Sequence, residues 1–126
     1  MSYSKCSGAS HRGDSGEALF MAEVIMKGHN VSVPFGHNNS YDVVVEGNSG
    51  KMYRVQVKMT MEVRGVNLYR FGGLKKYKGK VDMFAFLCVD AWYIVPESAI
   101  KYTNRTIFEL NRTKYSNYYE KFELFV

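Results

Sequence analysis

A chain of 126 residues that is 46% hydrophobic and 15% aromatic can fill one core but not two, so a single domain over 1–126 is expected. The same composition excludes general disorder, and no apolar run approaches the roughly 18 residues of a membrane-spanning helix. Net charge is only +5, but nine of the 17 basic residues fall between Lys51 and Lys80 against one acid, Glu62, which points to a polyanion facing that segment, with a plain solvated surface as the alternative.

The opening residues, MSYSKCSGASHRGDSG, lack the apolar centre of a secretory signal and read as a polar, flexible arm over 1–13. Cys6 and Cys88 have no CxxC spacing and no second pair, so two free thiols are expected, with neither a zinc site nor a disulfide framework. Asp14 or Ser15 can cap a helix running to about Lys27, where Gly28 stops it. Leu19, Phe20, Ala22, Ile25 and Met26 supply its apolar side, and Glu17 falls in its first turn. An acid there can simply stabilise the helix dipole, or it can serve a site at the helix end.

Val31, Val33 and Phe35 alternate with Ser32 and Pro34, the pattern of a short edge strand, because Pro34 has no N–H for a ladder. A polar loop from Gly36 to Ser40 follows, and His11, His29 and His37 have no spacing that would gather them on a metal. The runs Tyr41 to Glu46 and Met52 to Met59 are rich in Val and Tyr and are separated by Gly47-Asn48-Ser49-Gly50, a composition that reverses a chain. A β-hairpin is predicted. Alternation along its second strand puts Tyr53, Val55, Val57 and Met59 on one face and Arg54, Gln56 and Lys58 on the other. Asp42 starts the first strand, so the ladder brings it near Gln56 and Lys58. An acid, an amide oxygen and an amine at one end of a sheet suit a hard divalent cation and a positive group for the charge that develops in phosphodiester hydrolysis.

At these residues the chain resembles the PD-(D/E)XK nuclease superfamily, over roughly residues 13 to 96. Asp42 matches the motif aspartate, Gln56-Val57-Lys58 the (D/E)XK tripeptide with Gln in place of the acid, and Gly16-Glu17 the upstream helical glutamate. The Gln makes the chain most similar to the QXK subgroup of group I intron-encoded homing endonucleases of bacteria and phages, with archaeal Holliday-junction resolvases a more distant likeness. The resemblance implies an α/β fold, a mixed β-sheet flanked by helices. It implies Mg2+, with Mn2+ as a substitute, held by Asp42, Gln56, the Val57 backbone carbonyl and Glu17, the last directly or through water. Glu17, Asp42, Gln56 and Lys58 form the catalytic set it implies, with Lys58 positioning or activating the attacking water. The setting it implies is the cytoplasm of a bacterium or a phage-infected host.

Residues 59–80 are the basic segment expected to contact DNA. Arg64, Asn67 and Arg70 carry groups suited to base edges, Lys75, Lys76, Lys78 and Lys80 suit backbone phosphates, and Arg54 on the hairpin joins the DNA-binding set. Val81 to Val89 and Trp92 to Val95 read as two central strands in a hairpin, and Pro96-Glu97-Ser98 opens a short helix to about Ile100. In the aromatic extension over 101–126 a helix is expected from Glu109 to Lys121 and a terminal strand through Phe122, Leu124 and Val126, packed on the core or on a second subunit.

The function expected from these readings is a divalent-metal-dependent, site-specific endonuclease of double-stranded DNA, of homing type and without membrane association. Cutting two strands with one site per chain calls for a homodimer or homotetramer. A Holliday-junction resolvase or restriction-type nuclease would keep the same site. A nucleic-acid-binding module with a degenerate site is the non-catalytic alternative, since Gln56 replaces a charged ligand.

Overall fold

The runs on either side of Gly47–Gly50 pair as expected: β2 (Val43–Glu46) lies antiparallel to β3 (Met52–Thr60), with Val43 opposite Val55 and Glu46 opposite Met52. The reversal is closed by Gly47 N–H on the Lys51 carbonyl at 2.7 Å and Gly50 N–H on the Gly47 carbonyl at 3.0 Å, with Gly50 in the left-handed region at φ 89°. This computed structural model of the protein describes residues 9–36, 38–60, 68–102, 105–109 and 115–126.

A short strand, β1 (Asn30–Ser32), adds to the outside of β2, and the apolar run after Val81 forms β5 (Met83–Cys88) and β6 (Ala91–Pro96) as an antiparallel hairpin. Val89, at φ 59°, makes the tight reversal between them. β5 runs parallel to β3, so the main sheet is mixed, in the order β1-β2-β3-β5-β6. Of the two strands expected to be central, only β5 is; β6 is an edge strand, whose apolar character is explained by the extension covering it, with a Tyr93–Tyr119 bridge and the Glu120 N–H on the Trp92 carbonyl at 2.8 Å. The crossover between β3 and β5 carries β4 (Leu68–Gly72), which pairs with β7 (Arg105–Glu109) in a separate two-stranded ribbon.

Every residue of β5 is buried, because both faces of the sheet are covered. On one face, helix α1 (Ala9–Met26) inserts Phe20 and Val24 among Val43, Val45, Val55, Val57, Ile94, Phe122 and Phe125. On the other, Phe84, Phe86 and Val95 pack with Phe71, Leu74, Ile100 and Tyr115. The alternation read along β3 therefore has physical content: Tyr53, Val55 and Val57 belong to the helix side, while Gln56 and Lys58 project to the opposite side.

Three further expectations need correction. The helix begins at Ala9, so Asp14 and Ser15 lie inside it rather than capping it, part of the supposed arm is helical, and Glu17 sits mid-helix rather than in the first turn. Nothing in ASHRGD breaks the hydrogen-bond ladder, since Gly13 costs a helix only about 1 kcal/mol. The edge strand stops at Ser32, before Pro34, which cannot donate to a neighbour. In the extension, Arg105–Glu109 is a strand, Ser116–Tyr118 a 3₁₀ turn, and Phe122–Leu124 a 3₁₀ turn where a strand was expected. Residues 110–114 lie outside the described residues. A 3₁₀ turn aligns side chains three apart, and this puts Phe122 and Phe125 together in the core under α1, where a strand would have pointed them to opposite faces. Cys88 is a free, buried thiol, whose burial pushes it up to about 12, and Cys6 lies outside the described residues.

The hairpin turn is also tied to the end of this extension. Ser49 Oγ donates to the Val126 carbonyl at 2.9 Å, and Tyr53 Oη donates to it at 3.2 Å. A Cβ on Gly47 would lie 2.2 Å from that same oxygen and 2.8 Å from the Tyr53 ring. Gly47→Ala should therefore destabilise the protein by about 1–3 kcal/mol, the cost of overpacking, which urea unfolding would measure as a lower midpoint at unchanged slope.

Candidate active site

Asp42 immediately precedes β2 and extends its ladder by one residue. Its N–H donates to the Val55 carbonyl at 2.9 Å, and its carboxylate Oδ2 accepts the Val57 N–H at 2.9 Å. Backbone and side chain of Asp42 are thus both fixed by β3, which aims the acid at the end of the sheet. Glu17 reaches the same place from α1. The helix can approach because Gly16 has no side chain; a Cβ there would stand 3.2 Å from Cβ of Met59 on β3, tighter than ordinary van der Waals contact.

The two carboxyl groups meet. Burial, then the charge of Asp42, then a hydrogen bond with Asp42, and lastly the charge of Asp14 raise Glu17 from the ordinary 4.5 to about 7. A carboxyl raised to about 7 beside a second acid marks a place where negative charge is concentrated. Glu17 and Asp42 open onto a recess of about 210 Å³, walled by Val33, Pro34, Gly36, Asn39 and Tyr41. Its donors are hard oxygens, and the chemistry of a carboxylate pair that must otherwise hold a proton suits a divalent cation.

Gln56 and Lys58 leave β3 on the side away from α1. Gln56 is 7% exposed, and its amide Nε2 donates to the Val57 carbonyl at 3.4 Å. Lys58 Nζ donates to the Tyr77 hydroxyl at 3.2 Å and stands 4.9 Å from the centre of that ring. The carboxylates are therefore joined to each other, while the amide and the ammonium make their contacts elsewhere. Among the described residues no three His, Cys, Asp or Glu side chains converge, so the donor set is a carboxylate pair beside neutral oxygens.

Of the residues expected to meet DNA, Lys75, Lys76, Lys78 and Lys80 are exposed along and after the 3₁₀ turn Lys75–Tyr77. Arg54 is engaged within the protein: its backbone N–H and Nε donate to Asp82 Oδ2 at 2.8 and 3.2 Å, and Nη2 donates to Oδ1 at 3.3 Å. Burial tends to raise the Asp82 carboxyl, but the Arg54 bonds outweigh it and hold the group below the usual range. Arg70 lies in β4 opposite Ile107, its side chain outside the described residues, as are Arg64, Asn67 and His37. Sequence reasoning missed Tyr77, which hid as one aromatic in a lysine run, and the packing role of Gly16, whose signal was a small residue directly before the helical acid.

An α-helix on a mixed five-stranded sheet, with an acid entering the second strand and a Gln-Val-Lys segment on the third, is the PD-(D/E)XK nuclease fold. The chain belongs to the PD-(D/E)XK endonuclease family, whose model matches residues 8–125. Among solved structures it is similar to the bacterial homing endonuclease I-Ssp6803I, with a TM-score of 0.80 and 20% identity over 94% of this chain and 91% of that one. It is also similar to Hjc, a Holliday junction resolvase from the archaeal hyperthermophile Archaeoglobus fulgidus, with a TM-score of 0.54 and 18% identity over 77% of this chain and 83% of that one. No curated protein matches it in sequence.

The raised Glu17 carboxyl has a measurable consequence. Unfolded, the group titrates near 4.5; folded, near 7, so between these values the native state holds the extra proton and stability falls as pH rises. Thermal melts of the metal-free protein should show Tm declining across that interval, the Glu17→Gln variant should lose this component of the slope, and added magnesium should recover stability chiefly at its upper end. A slope unchanged by Glu17→Gln would mean that Glu17 is not the group whose proton the fold retains.

Proposed function

We propose that this protein is a divalent-metal-dependent, site-specific endonuclease of double-stranded DNA, of homing type. The observation that carries the reading is the Glu17–Asp42 carboxyl pair at the mouth of the β2–β3 hairpin, with Glu17 raised to about 7. Membership of an endonuclease family and the likeness to a bacterial homing endonuclease support it. Asp42, Glu17, the Gln56 amide and the Val57 carbonyl would hold the ion, Mg2+ with Mn2+ as a substitute. The Gln56 amide nitrogen donates to the Val57 carbonyl, so both could serve one ion only with the side chain turned to present its oxygen. Bound there, the cation supplies Lewis-acid stabilisation of charge on the scissile phosphate.

The protein's own groups do the rest. Asp42 is kept in place by the Val57 N–H, so its carboxylate needs no reorganisation when a charge arrives. Glu17, raised to about 7 in the metal-free pair, would give up its proton and face the ion as a carboxylate. Lys58 brings a positive group toward the developing phosphate charge and orients the attacking water. Lys75, Lys76, Lys78 and Lys80 contact backbone phosphates; Arg64, Asn67 and Arg70 read bases; Arg54, bound to Asp82, serves the sheet rather than DNA. Two chains or four, related by symmetry, cut the two strands.

A Holliday junction resolvase is the second reading, favoured by the likeness to Hjc. A cleavage assay on a duplex library and on a four-way junction, with and without magnesium, separates the readings. The expected result is magnesium-dependent cutting of a defined duplex site. Asp42→Asn, which keeps an oxygen for the Val57 N–H, should cut at least about 100-fold more slowly while binding DNA as before. Cutting confined to the junction makes the protein a resolvase, and binding without cutting of either makes it a nucleic-acid-binding module.

Replacing Lys75, Lys76, Lys78 and Lys80 by Ala should weaken binding to cognate and scrambled duplexes alike and flatten its salt dependence, each lost phosphate contact reducing the slope by about 0.9. Titrations over a salt series check this; a loss of discrimination at unchanged slope would reverse the roles given to these lysines.

A further inference from the structure

We infer that Tyr77 is the positioning residue for Lys58, and that it couples the placement of this ammonium to the docking of the basic turn Lys75–Lys78 on a polyanion; the inference rests on the role proposed for Lys58. One side chain makes two kinds of contact with one ammonium. The Tyr77 hydroxyl accepts a hydrogen bond from Lys58 Nζ at 3.2 Å, and Nζ stands 4.9 Å from the ring centre, within the range of a cation–π attraction. A lysine ends in a flexible four-carbon stem, so an ammonium used in catalysis must be ordered by something outside its own strand. Here that is the phenol.

Tyr77 is itself well held. Its ring meets the buried Phe84 edge-on, with centroids 6.0 Å apart at 75°. The turn that carries it is fastened on its far side, where the Gly79 N–H donates to Glu97 Oε1 at 3.0 Å and the Tyr102 hydroxyl donates to the same oxygen at 2.8 Å. Lys78 lies 5.7 Å from the Tyr102 ring, so this side of the turn too is built on an aromatic. The lysines are thus presented to solvent from a fixed mount, while Tyr77 reaches back to β3.

The coupling follows from a shared ring. Lys76 Nζ is 5.2 Å from the centre of the Tyr77 ring that also attracts Lys58. Two ammonium groups on one ring repel each other and divide its attraction. A phosphate that draws Lys76 outward leaves the ring to Lys58 and removes the repulsion, so that the catalytic ammonium is best ordered when the turn is on its ligand.

The test uses the full chain and two independent measurements. Tyr77→Phe keeps the ring and removes the hydroxyl. With saturating duplex and enzyme in excess, its single-turnover cleavage rate should fall about tenfold, as for a lost hydrogen bond to a charged group, while its duplex Kd stays within about twofold of the parent. Separately, in protein labelled with 13C at the lysine ε-carbons, the Lys58 ε-protons, identified by their loss in Lys58→Arg, should be shifted by the nearby ring. That shift should persist in Tyr77→Phe and vanish in Tyr77→Leu. A Tyr77→Phe protein that cuts at the parent rate while Lys58→Ala is inactive overturns the inference alone, as does a loss seen only in Kd, or a Lys58 signal indifferent to Tyr77→Leu. A Lys58→Ala protein that cuts at full rate overturns the functional reading of Lys58, and this inference with it, even where the parent protein shows the ring shift.

Discussion

Two carboxyl groups pressed together at the end of a β-hairpin impose the constraint that the rest of the molecule serves. Left to themselves Glu17 and Asp42 repel, and only a shared proton or a bound cation makes the contact tolerable. Such an arrangement persists because the scaffold over-determines it. Asp42 is gripped through its backbone and its side chain by consecutive parts of β3, and Glu17 rides on a helix whose Phe20 and Val24 are wholly buried. The stability of the apolar layer under α1 offsets the strain at its margin, a distribution common to sites that do chemistry.

The sheet divides the labour between its faces. The α1 side supplies rigidity and one acid; the other side, with the β4–β7 ribbon and the Lys75–Tyr77 turn, supplies basic groups. β3 carries site residues between the two, because its alternation sends Val55 and Val57 under the helix and Gln56 and Lys58 the other way. Its parallel neighbour β5 requires a crossover, and the chain uses that crossover to carry the segment richest in lysine past the site. Topology, rather than any single residue, thereby places positive charge on the face of the sheet to which Lys58 projects.

Arg54 shows why residue type alone does not assign a contact. On the strand bearing Gln56 and Lys58 it has the charge and fork to read a base, yet three hydrogen bonds from this residue converge on Asp82 and join β3 to the start of β5. The aromatic extension makes the same point for packing: Tyr115, Phe122 and Phe125 are buried in the chain's own core, which leaves Tyr119 as the exposed ring among the extension's described residues.

What the sequence by itself determined is what depends on near neighbours. The hairpin from Tyr41 to Met59, the polar face of Gln56 and Lys58, and the pairing of β5 with β6 were legible because a two-residue period and Gly-Asn-Ser-Gly turn chemistry act within a few positions. The acid before β2 and the Gly-Glu pair marked the family for the same reason: short spacings preserve their geometry wherever the strand and helix go. The helix start was not legible, since residues 9–14 carry no apolar stripe and a cap-like residue is compatible with a helix interior. Nor were the 3₁₀ turns that seat Phe122 and Phe125, because an alternating aromatic pattern suits strand and turn until the receiving pocket is known. Only the tertiary structure decided that Glu17 touches Asp42, that Asp82 takes Arg54 and that Tyr77 takes Lys58. Each of these contacts joins distant parts of the chain, and its free energy depends on burial and on a partner's position, quantities that exist only once the sheet has closed on both faces.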